Sequence, residues 1–346
     1  MKINFDGIIY SLQQYGGISN YFTNLINESS QILPKKTQLS LYGNPRLDYK
    51  IISKVKNYKY RILERYRDVL NISDGSILHS SYYRISKSKK VKNVITLYDF
   101  TYEKFNYNVR SAPHIYQKNK AIRNSDAIIC ISNNTKNDLL NYYPSLNENK
   151  VFVTHLSASD DFTSLKTPYH KRIIDPFVIF VGPRVGYKNF KIVVKALEIK
   201  KDISLCIVGG GNLTSEEILE LNQKLGKRYR HLGYVSSAEL NQLYNKALCL
   251  LYPSLYEGFG IPILEAQKAG CPVICNNISS IPEVAGNGAI LLKECNPETI
   301  ASSIKSLLEE KVFSRYQTKG FSNSLRFSWD KTAKQTLSIY NAFMKK

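Results

Sequence analysis

The chain has 346 residues, too many for one average domain and enough for two of roughly 150–180 residues each. An apolar fraction of 43% is that of an ordinary globular protein, and no apolar run approaches transmembrane length, so membrane contact is expected to be peripheral. The 48 Lys and Arg against 28 Asp and Glu leave a net charge of +20, which suits nucleic acid, an anionic membrane surface or a doubly charged nucleotide-diphosphate substrate, and also fits a merely Lys- and Asn-rich composition.

Residues 2–10 read as the first strand. A glycine loop follows, Gln14 to Ser19 with Gly16 and Gly17, and then a helical run from Asn20 to Ile26. Paired glycines let the backbone approach a ligand and turn N–H groups toward phosphate, although the same pair is often only a turn. From Lys35 to Arg67 ten Lys and Arg face only Asp48 and Glu64, with Tyr49, Tyr58, Tyr60 and Tyr66 interleaved. A second basic stretch, Arg84 to Lys92, follows Ser81-Tyr82-Tyr83. This mixture suits a membrane interface, a phosphate-rich acceptor, nucleic acid or a plain solvated surface. Ser76–His79 and Val94–Asp99 read as strands ending in polar residues. A helix over 111–123, a strand over 127–131, a helix opened by Ser132 with Asn133, Asn134 and Thr135 as possible caps, and a strand over 151–154 complete an alternation typical of a parallel sheet.

The polar stretch Ser157–Asp175, with Pro168 inside it, reads as a linker. Phe177–Val181 is a buried strand running into Gly182-Pro183-Arg184-Val185-Gly186-Tyr187-Lys188. A glycine turn carrying Arg184 and Lys188 at a strand's carboxyl end is suited to a diphosphate, arginine as a planar fork and lysine as a mobile point charge. Leu205–Val208 runs into Gly209-Gly210-Gly211, which lacks the spacing and the following acid of a dinucleotide site, so no nicotinamide cofactor is expected. His231–Val235 is the next strand and turn, and Ser236 to Glu239 opens a helix as a capping box. Ala247–Tyr252 then leads into Glu257-Gly258-Phe259-Gly260, and Ile261-Pro262 begin a helix that carries Glu265. That junction lies where ligands bind in parallel sheets, and the helix start favours an anion. Pro272–Cys275 and Gly288–Leu292 are further strands, Glu298–Glu309 is a helix, and an amphipathic helix runs from near Phe327 to near Phe343. The six cysteines show no zinc spacing, and four of them sit in apolar strand-like runs, pointing to a reduced, cytoplasmic protein. The start of the chain lacks the unbroken apolar core of a signal peptide.

The run from Glu257 to Glu265, continued by Ala269-Gly270-Cys271-Pro272-Val273-Ile274 and Ile281-Pro282-Glu283-Val284, resembles the Glu-x7-Glu signature of the family-4 retaining glycosyltransferases, which have the GT-B fold. Within that family it most resembles the bacterial mannosyltransferase-like branch that builds O-antigen and other surface polysaccharides. The resemblance is strongest from Phe177 to Leu292 and thinnest between Lys35 and Lys92. It implies two facing doubly wound Rossmann-like domains with a cleft between them: residues 1–160 binding the acceptor, 161–175 as linker, 176–328 binding the nucleotide sugar, and 329–346 as a helix packing back toward the first domain. It implies that Arg184 and Lys188 bind the pyrophosphate, that Glu257 holds sugar hydroxyls or acts as a nucleophile, and that Glu265 holds the ribose. Gly258, Phe259, Gly260 and Ile261 would line the donor, the backbone of Tyr234 and Val235 would meet the base, and Gly16, Gly17 and Asp99 would lie near diphosphate and acceptor. Relatives commonly carry His-Asp where this chain has Tyr98-Asp99; tyrosine does not titrate near neutrality, so His79 is a candidate substitute or an ordinary structural histidine. No metal and no cofactor are implied. The expected partners are a nucleotide-sugar donor, GDP-linked by preference, a glycan or polyprenyl-diphosphate-linked acceptor and an anionic membrane touched peripherally from the cytoplasm, with no nucleic acid. UDP-hexoses and dTDP-rhamnose remain alternative donors. The competing readings are a non-catalytic binder of polyanions or nucleic acid and a sugar-nucleotide epimerase of similar fold.

Overall fold

The computed structural model describes residues 2–13, 16–29, 32, 36–43, 45, 54–105 and 111–344. Gln14, Lys35, Asp48 and Tyr49, named above, lie outside these. The chain divides into two compact units, Met1–Leu156 with Phe327–Lys346, and Ser157–Arg326.

The first unit holds β1 (Ile3–Asp6), β2 (Thr37–Tyr42), β3 (Lys54–Tyr58), β4 (Ile77–Ser80), β5 (Lys92–Leu97), β6 (Ala127–Cys130) and β7 (Val151–Val153). They form one sheet in the order β3-β2-β1-β4-β5-β6-β7, and the pairings are parallel. Central strands such as Ala-Ile-Ile-Cys in β6 are buried along their whole length, as expected of parallel strands covered on both faces. β1 stops at Asp6 instead of reaching residue 10. The Gly7 N–H still reaches the Ser40 carbonyl at 2.8 Å, and the apolar Ile9–Leu12 then turns into a short helix that buries Ile9 and Tyr10. A short apolar run has no period that separates these two outcomes. β2 and β3 were not expected. β3 is an edge strand reading Lys-Val-Lys-Asn-Tyr, almost wholly exposed, and its lysines discourage pairing with another chain. The helix expected over 20–26 runs over Gly17–Ser29. Ser132 caps the helix Asn133–Tyr142, its hydroxyl accepting from the Thr135 N–H at 3.0 Å.

The second unit holds β8 (Phe177–Val181), β9 (Ser204–Val208), β10 (Tyr229–His231), β11 (Cys249–Tyr252), β12 (Val273–Asn276) and β13 (Ile290–Leu292). Its parallel sheet has the order β10-β9-β8-β11-β12-β13. The chain starts at the centre, winds to one edge, returns to the centre and winds to the other. The reversal lies between β8 and β11, and a crevice opens at the carboxyl ends of the two strands on either side of such a switch point. The core beneath is apolar and closed: Val178, Phe180, Leu197, Leu205, Ile207 and Leu251 pack together. Each such side chain contributes about 1.5–3 kcal/mol on burial.

Residues 161–175, expected as a linker, are fastened to the second unit. The Thr163 N–H donates to Asn241 at 3.0 Å, and the Leu165 N–H donates to Asn245 at 2.7 Å. A short helix, Tyr169–Ile173, buries Arg172, whose Nη1 donates to the Tyr244 and Ala247 carbonyls at 3.1 and 2.8 Å. The helix expected over 298–309 ends at Ser306, and an unexpected one occupies Glu310–Ser324. The final helix, Trp329–Met344, belongs to the first unit. There Tyr340 meets His79, the Trp329 and Tyr21 rings lie 6.2 Å apart, and Thr332 donates to the His155 carbonyl at 2.6 Å. All six cysteines are unpaired.

Candidate functional site

The second unit's switch point is built from four turns. The first follows β8. Gly182 has φ 122°, and Gly186–Lys188 forms one tight turn that ends in Asn189 before the helix Phe190–Ile199. The second is the triple-glycine turn after β9, where Gly209, Gly210 and Gly211 have φ of 78°, 76° and 71°. Only glycine adopts this freely. At Gly210 space is also short: a β-carbon would stand 2.6 Å from Arg184 Nη1 and 2.8 Å from the Gly182 carbonyl oxygen.

Arg184 explains that closeness. Its Nη1 donates to the Gly209 carbonyl at 3.2 Å, Nη2 to the Asn212 carbonyl at 2.9 Å, and Nε to Glu217 at 2.7 Å. The side chain is 4% exposed. Glu217 lies in the first turn of the helix Ser215–Leu225, in a capping box with Thr214, and the Arg184 hydrogen bond foremost holds its carboxyl below the usual carboxylate range. The guanidinium expected to face a diphosphate therefore stitches the turns after β8 and β9 to a helix start.

Lys188 is placed differently. Its Nζ lies 2.6 Å from Glu257 Oε1, and the two side chains are 12% and 11% exposed, a pair nearly out of water but not sealed. The ammonium sits 5.4 Å from the centre of the Tyr252 ring, at the end of β11, and 5.5 Å from that of Tyr187. Glu257 lies in the third turn, after β11. The fourth turn, after β12, holds it: Ser279 Oγ donates to the Glu257 carbonyl at 2.7 Å and accepts from its N–H at 3.2 Å, while Ser280 Oγ reaches the Glu257 and Phe259 carbonyls, each at 2.9 Å. The Leu255 N–H donates to the Tyr187 carbonyl at 2.7 Å and ties the turn after β11 to the one after β8. Gly258, Phe259 and Gly260 are buried. Gly260, at φ 108°, opens the helix Ile261–Lys268, with Pro262 in its first turn.

Glu265 projects from that helix and accepts from the Tyr244 hydroxyl at 3.3 Å. It keeps partial solvent access, yet burial pushes its carboxyl up to about 7, against the opposing effect of the Tyr244 bond. Glu265 thus titrates near neutrality. Tyr234 is 69% exposed and Val235 half-buried in the turn after β10.

In the first unit, the Gly16 carbonyl accepts from the Asn20 N–H and from Ser19 Oγ, both at 3.0 Å, and Gly17 is the first residue of its helix. Asp99 accepts from the Thr101 N–H at 2.9 Å. Tyr98 is buried and donates to the Ser81 carbonyl at 3.2 Å. His79 is fully buried, with Nε2 2.9 Å from Thr96 Oγ1, and burial pushes its imidazole down to about 3, so it is a neutral structural histidine.

Sequence reasoning missed Glu217, Tyr252, Ser279 and Ser280. The Thr214-x-x-Glu217 spacing was legible as a capping box, but its arginine partner was not. Tyr252, the last residue of β11, is where a parallel strand delivers a side chain to the crevice.

The family model described as Glycosyl transferases group 1 matches residues 165–324. The O-antigen chain mannosyltransferase B of Escherichia coli is 26% identical over 239 residues, which span 64% of this chain and 62% of that protein, less than two thirds of its length. The sucrose-phosphate synthase of Thermosynechococcus elongatus superposes with a TM-score of 0.76 at 16% identity, covering 100% of this chain and 99% of that one. HepE of Anabaena, solved with UDP and glucose, superposes with a TM-score of 0.72 at 16% identity, covering 98% of each chain. At such identities the structural likenesses establish the fold, two Rossmann-like units of the GT-B class, as the sequence led us to expect.

Proposed function

We propose, on the premise that residues 165–324 belong to the group 1 glycosyl transferases, that this chain is a retaining hexosyltransferase. It would move a hexose from a nucleotide sugar to a glycan or polyprenyl-diphosphate-linked acceptor during synthesis of O-antigen or another surface polysaccharide, working from the cytoplasm. The observation that carries the reading is the Lys188–Glu257 pair, 2.6 Å apart at the second unit's switch point, with Glu265 on the helix that follows. The relative from Escherichia coli is a mannosyltransferase by name, which supports mannose as the sugar, and GDP is the carrier we propose for it.

Each residue then has a task. An ammonium has three N–H donors, so Lys188 bonded to Glu257 has two left for the oxygens of a diphosphate. Glu257 accepts hydrogen bonds from sugar hydroxyls, Glu265 accepts from the ribose, and the backbone of Tyr234 and Val235 meets the base. In the transfer step the bond from the sugar's anomeric carbon to the phosphate oxygen breaks, and its electron pair leaves with the nucleoside diphosphate. The acceptor hydroxyl oxygen bonds to the same face of that carbon and passes its proton to the departing phosphate oxygen. Lys188 stabilises the charge that grows on the leaving group, in a site with little water. Arg184, with its fork committed to Glu217 and the glycine turn, acts as a positioning residue for the phosphate-binding turns. In the first unit, Gly16, Gly17 and Asp99 would serve the acceptor side. Positive charge comes from Lys188, so transfer should proceed in EDTA.

Calorimetric titration of GDP, UDP and dTDP into the protein with EDTA present tests the reading. GDP should bind most tightly, and GDP-mannose should then support transfer to a mannose-terminated acceptor. UDP binding most tightly would move the donor to a UDP-hexose and leave the transferase reading standing. No binding of any of the three, at low or moderate salt, would overturn it.

A further inference from the structure

Lys188 has more holding it than its carboxylate. The ammonium lies over two tyrosine rings that come from different turns, 5.4 Å from the centre of Tyr252 and 5.5 Å from that of Tyr187. Both distances fall inside the roughly 6 Å within which a ring face attracts a cation. Tyr252 closes β11 and is 2% exposed, whereas Tyr187 is half-buried in the turn after β8. The Tyr252 ring also lies against the start of the next helix, where a β-carbon at Gly260 would stand 3.6 Å from its Cε1. Burial foremost, and then the Glu257 carboxylate, push the Tyr252 hydroxyl well above its ordinary range. The phenol therefore stays neutral, and the lysine meets a ring face instead of a phenolate.

The two kinds of neighbour act differently on the ammonium. Glu257, 2.6 Å away, carries a full negative charge that offsets the positive one. A ring face attracts the cation through its quadrupole and neutralises nothing. Lys188 and Glu257 are only 12% and 11% exposed, so water supplies little of the solvation that a cation needs. Two rings supply part of it and leave the charge available to an incoming anion. They also keep the ammonium in place when its acidic partner is exchanged for a phosphate. Leucine suits this strand, as Leu250 and Leu251 show, and would fill its end without any such hold.

We propose that Tyr252 and Tyr187 are positioning residues that hold the Lys188 ammonium at the terminal phosphate of a nucleoside diphosphate, so that the site tells a diphosphate from a monophosphate. The inference rests on the reading of Lys188 as the diphosphate's cation and deepens it. The terminal phosphate is the one that bears the leaving oxygen, so the aromatic hold acts where charge grows during transfer.

Calorimetric titration of the full chain with GDP and GMP, or with UDP and UMP if uridine binds better, tests this. Wild type should prefer the diphosphate. Tyr252→Leu should bind the diphosphate about tenfold more weakly and the monophosphate less than about threefold more weakly. Tyr252→Phe keeps the ring and should restore the wild-type ratio of the two affinities to within about threefold. Tyr187→Leu, at a half-buried position, should lower that ratio about threefold and decides the matter alone if Tyr252→Leu does not fold. Equal losses for both nucleotides in the leucine variants would overturn the proposal, because a merely structural role would weaken both. So would Tyr252→Phe behaving as Tyr252→Leu does, or an unchanged ratio in Tyr187→Leu. Those results would leave the transferase reading standing, whereas a wild type that binds no nucleoside diphosphate would remove both.

Discussion

Replacing Glu265 by glutamine should separate stability from nucleotide binding, because the two make opposite demands on this carboxyl. Burial moves it from 4.5 to about 7 in the folded protein. A group whose folded value lies above its unfolded one stabilises the fold fully below the unfolded value, and that stabilisation is lost as pH rises through the folded value. The window here runs from 4.5 to about 7. At about 1.4 kcal/mol per tenfold, the whole interval corresponds to about 3 kcal/mol, and the side chain's partial solvent access trims this to about 2–3 kcal/mol. Glutamine has nearly the same shape and never ionises. Relative to wild type, Glu265→Gln should therefore gain about 2 kcal/mol between pH 5 and pH 8 in urea unfolding followed in the second unit. In calorimetry at pH 8 the same variant should bind nucleoside diphosphate at least about tenfold more weakly, since a carboxylate accepting ribose hydroxyls would be gone. Wild-type affinity should itself fall as pH drops from 8 to 6, and the variant's should not. A stability difference that does not change between pH 5 and pH 8 would refute the burial argument. Unchanged nucleotide affinity would refute the ribose assignment.

Lys188→Ala should lower kcat/KM about a hundredfold or more, with much of the loss in kcat if its charge acts on the leaving group, and stopped transfer assays with saturating donor would show a KM-only effect if it does not. Gly210→Ala forces a β-carbon against the Gly182 carbonyl at φ 76°, so a loss of about 1–3 kcal/mol in thermal unfolding is expected, with weaker nucleotide binding; a neutral result would refute the steric argument. Arg84→Met leaves Asp6 without its buried partner and should cost about 3–5 kcal/mol in urea unfolding of the first unit, whereas a loss under about 1 kcal/mol would show the network is not sealed.

Much of the second unit could be read from its sequence because chemistry and topology coincide there. Phe177–Val181 and Cys249–Tyr252 are apolar runs, the first ended by Gly182 and the second by Pro253, and the residues after them are those that the switch point brings together. The first unit was harder to read. Thr-Gln-Leu-Ser-Leu-Tyr in β2 does alternate, with Leu39 and Leu41 on one face, but six residues inside a basic stretch carry a weak signal. β3 has no hydrophobic face, since it is an edge that solvent reaches from both sides. Glu310–Ser324 escaped notice because much of what it buries is polar or small. Asn323 donates to the Val284 carbonyl and to Gln267, each at 2.8 Å, and Gly320 lies against Gly288. Arg184 marks a different boundary. Residue type and position at a strand end pointed to phosphate, but only coordinates reveal that Glu217, far along the chain, had claimed the fork.

The two units pose one further question, because each winds outward from a central strand and each therefore has a switch point, β1 against β4 in the first and β8 against β11 in the second. Topology alone would make both of them sites. Charge and exposure separate them. At the first, Asp6 meets Arg84 at 2.9 Å with both side chains fully buried, and Ser80 and Glu64 take up the remaining groups. Desolvation pushes the Asp6 carboxyl up even with an arginine beside it, as happens when an ion pair is shut away from water. Nothing from solution can exchange for a partner there without opening the fold. At the second, Lys188 and Glu257 bond each other directly yet stay 12% and 11% exposed. On the proposed reading an incoming diphosphate would share the ammonium and a sugar hydroxyl would meet the carboxylate, since neither group is sealed from solvent. A sealed pair can only fix a backbone, whereas an accessible pair of similar length is free to exchange a partner. On the proposed reading the second switch point would hold the donor, while the Asp6–Arg84 pair at the first holds the backbone.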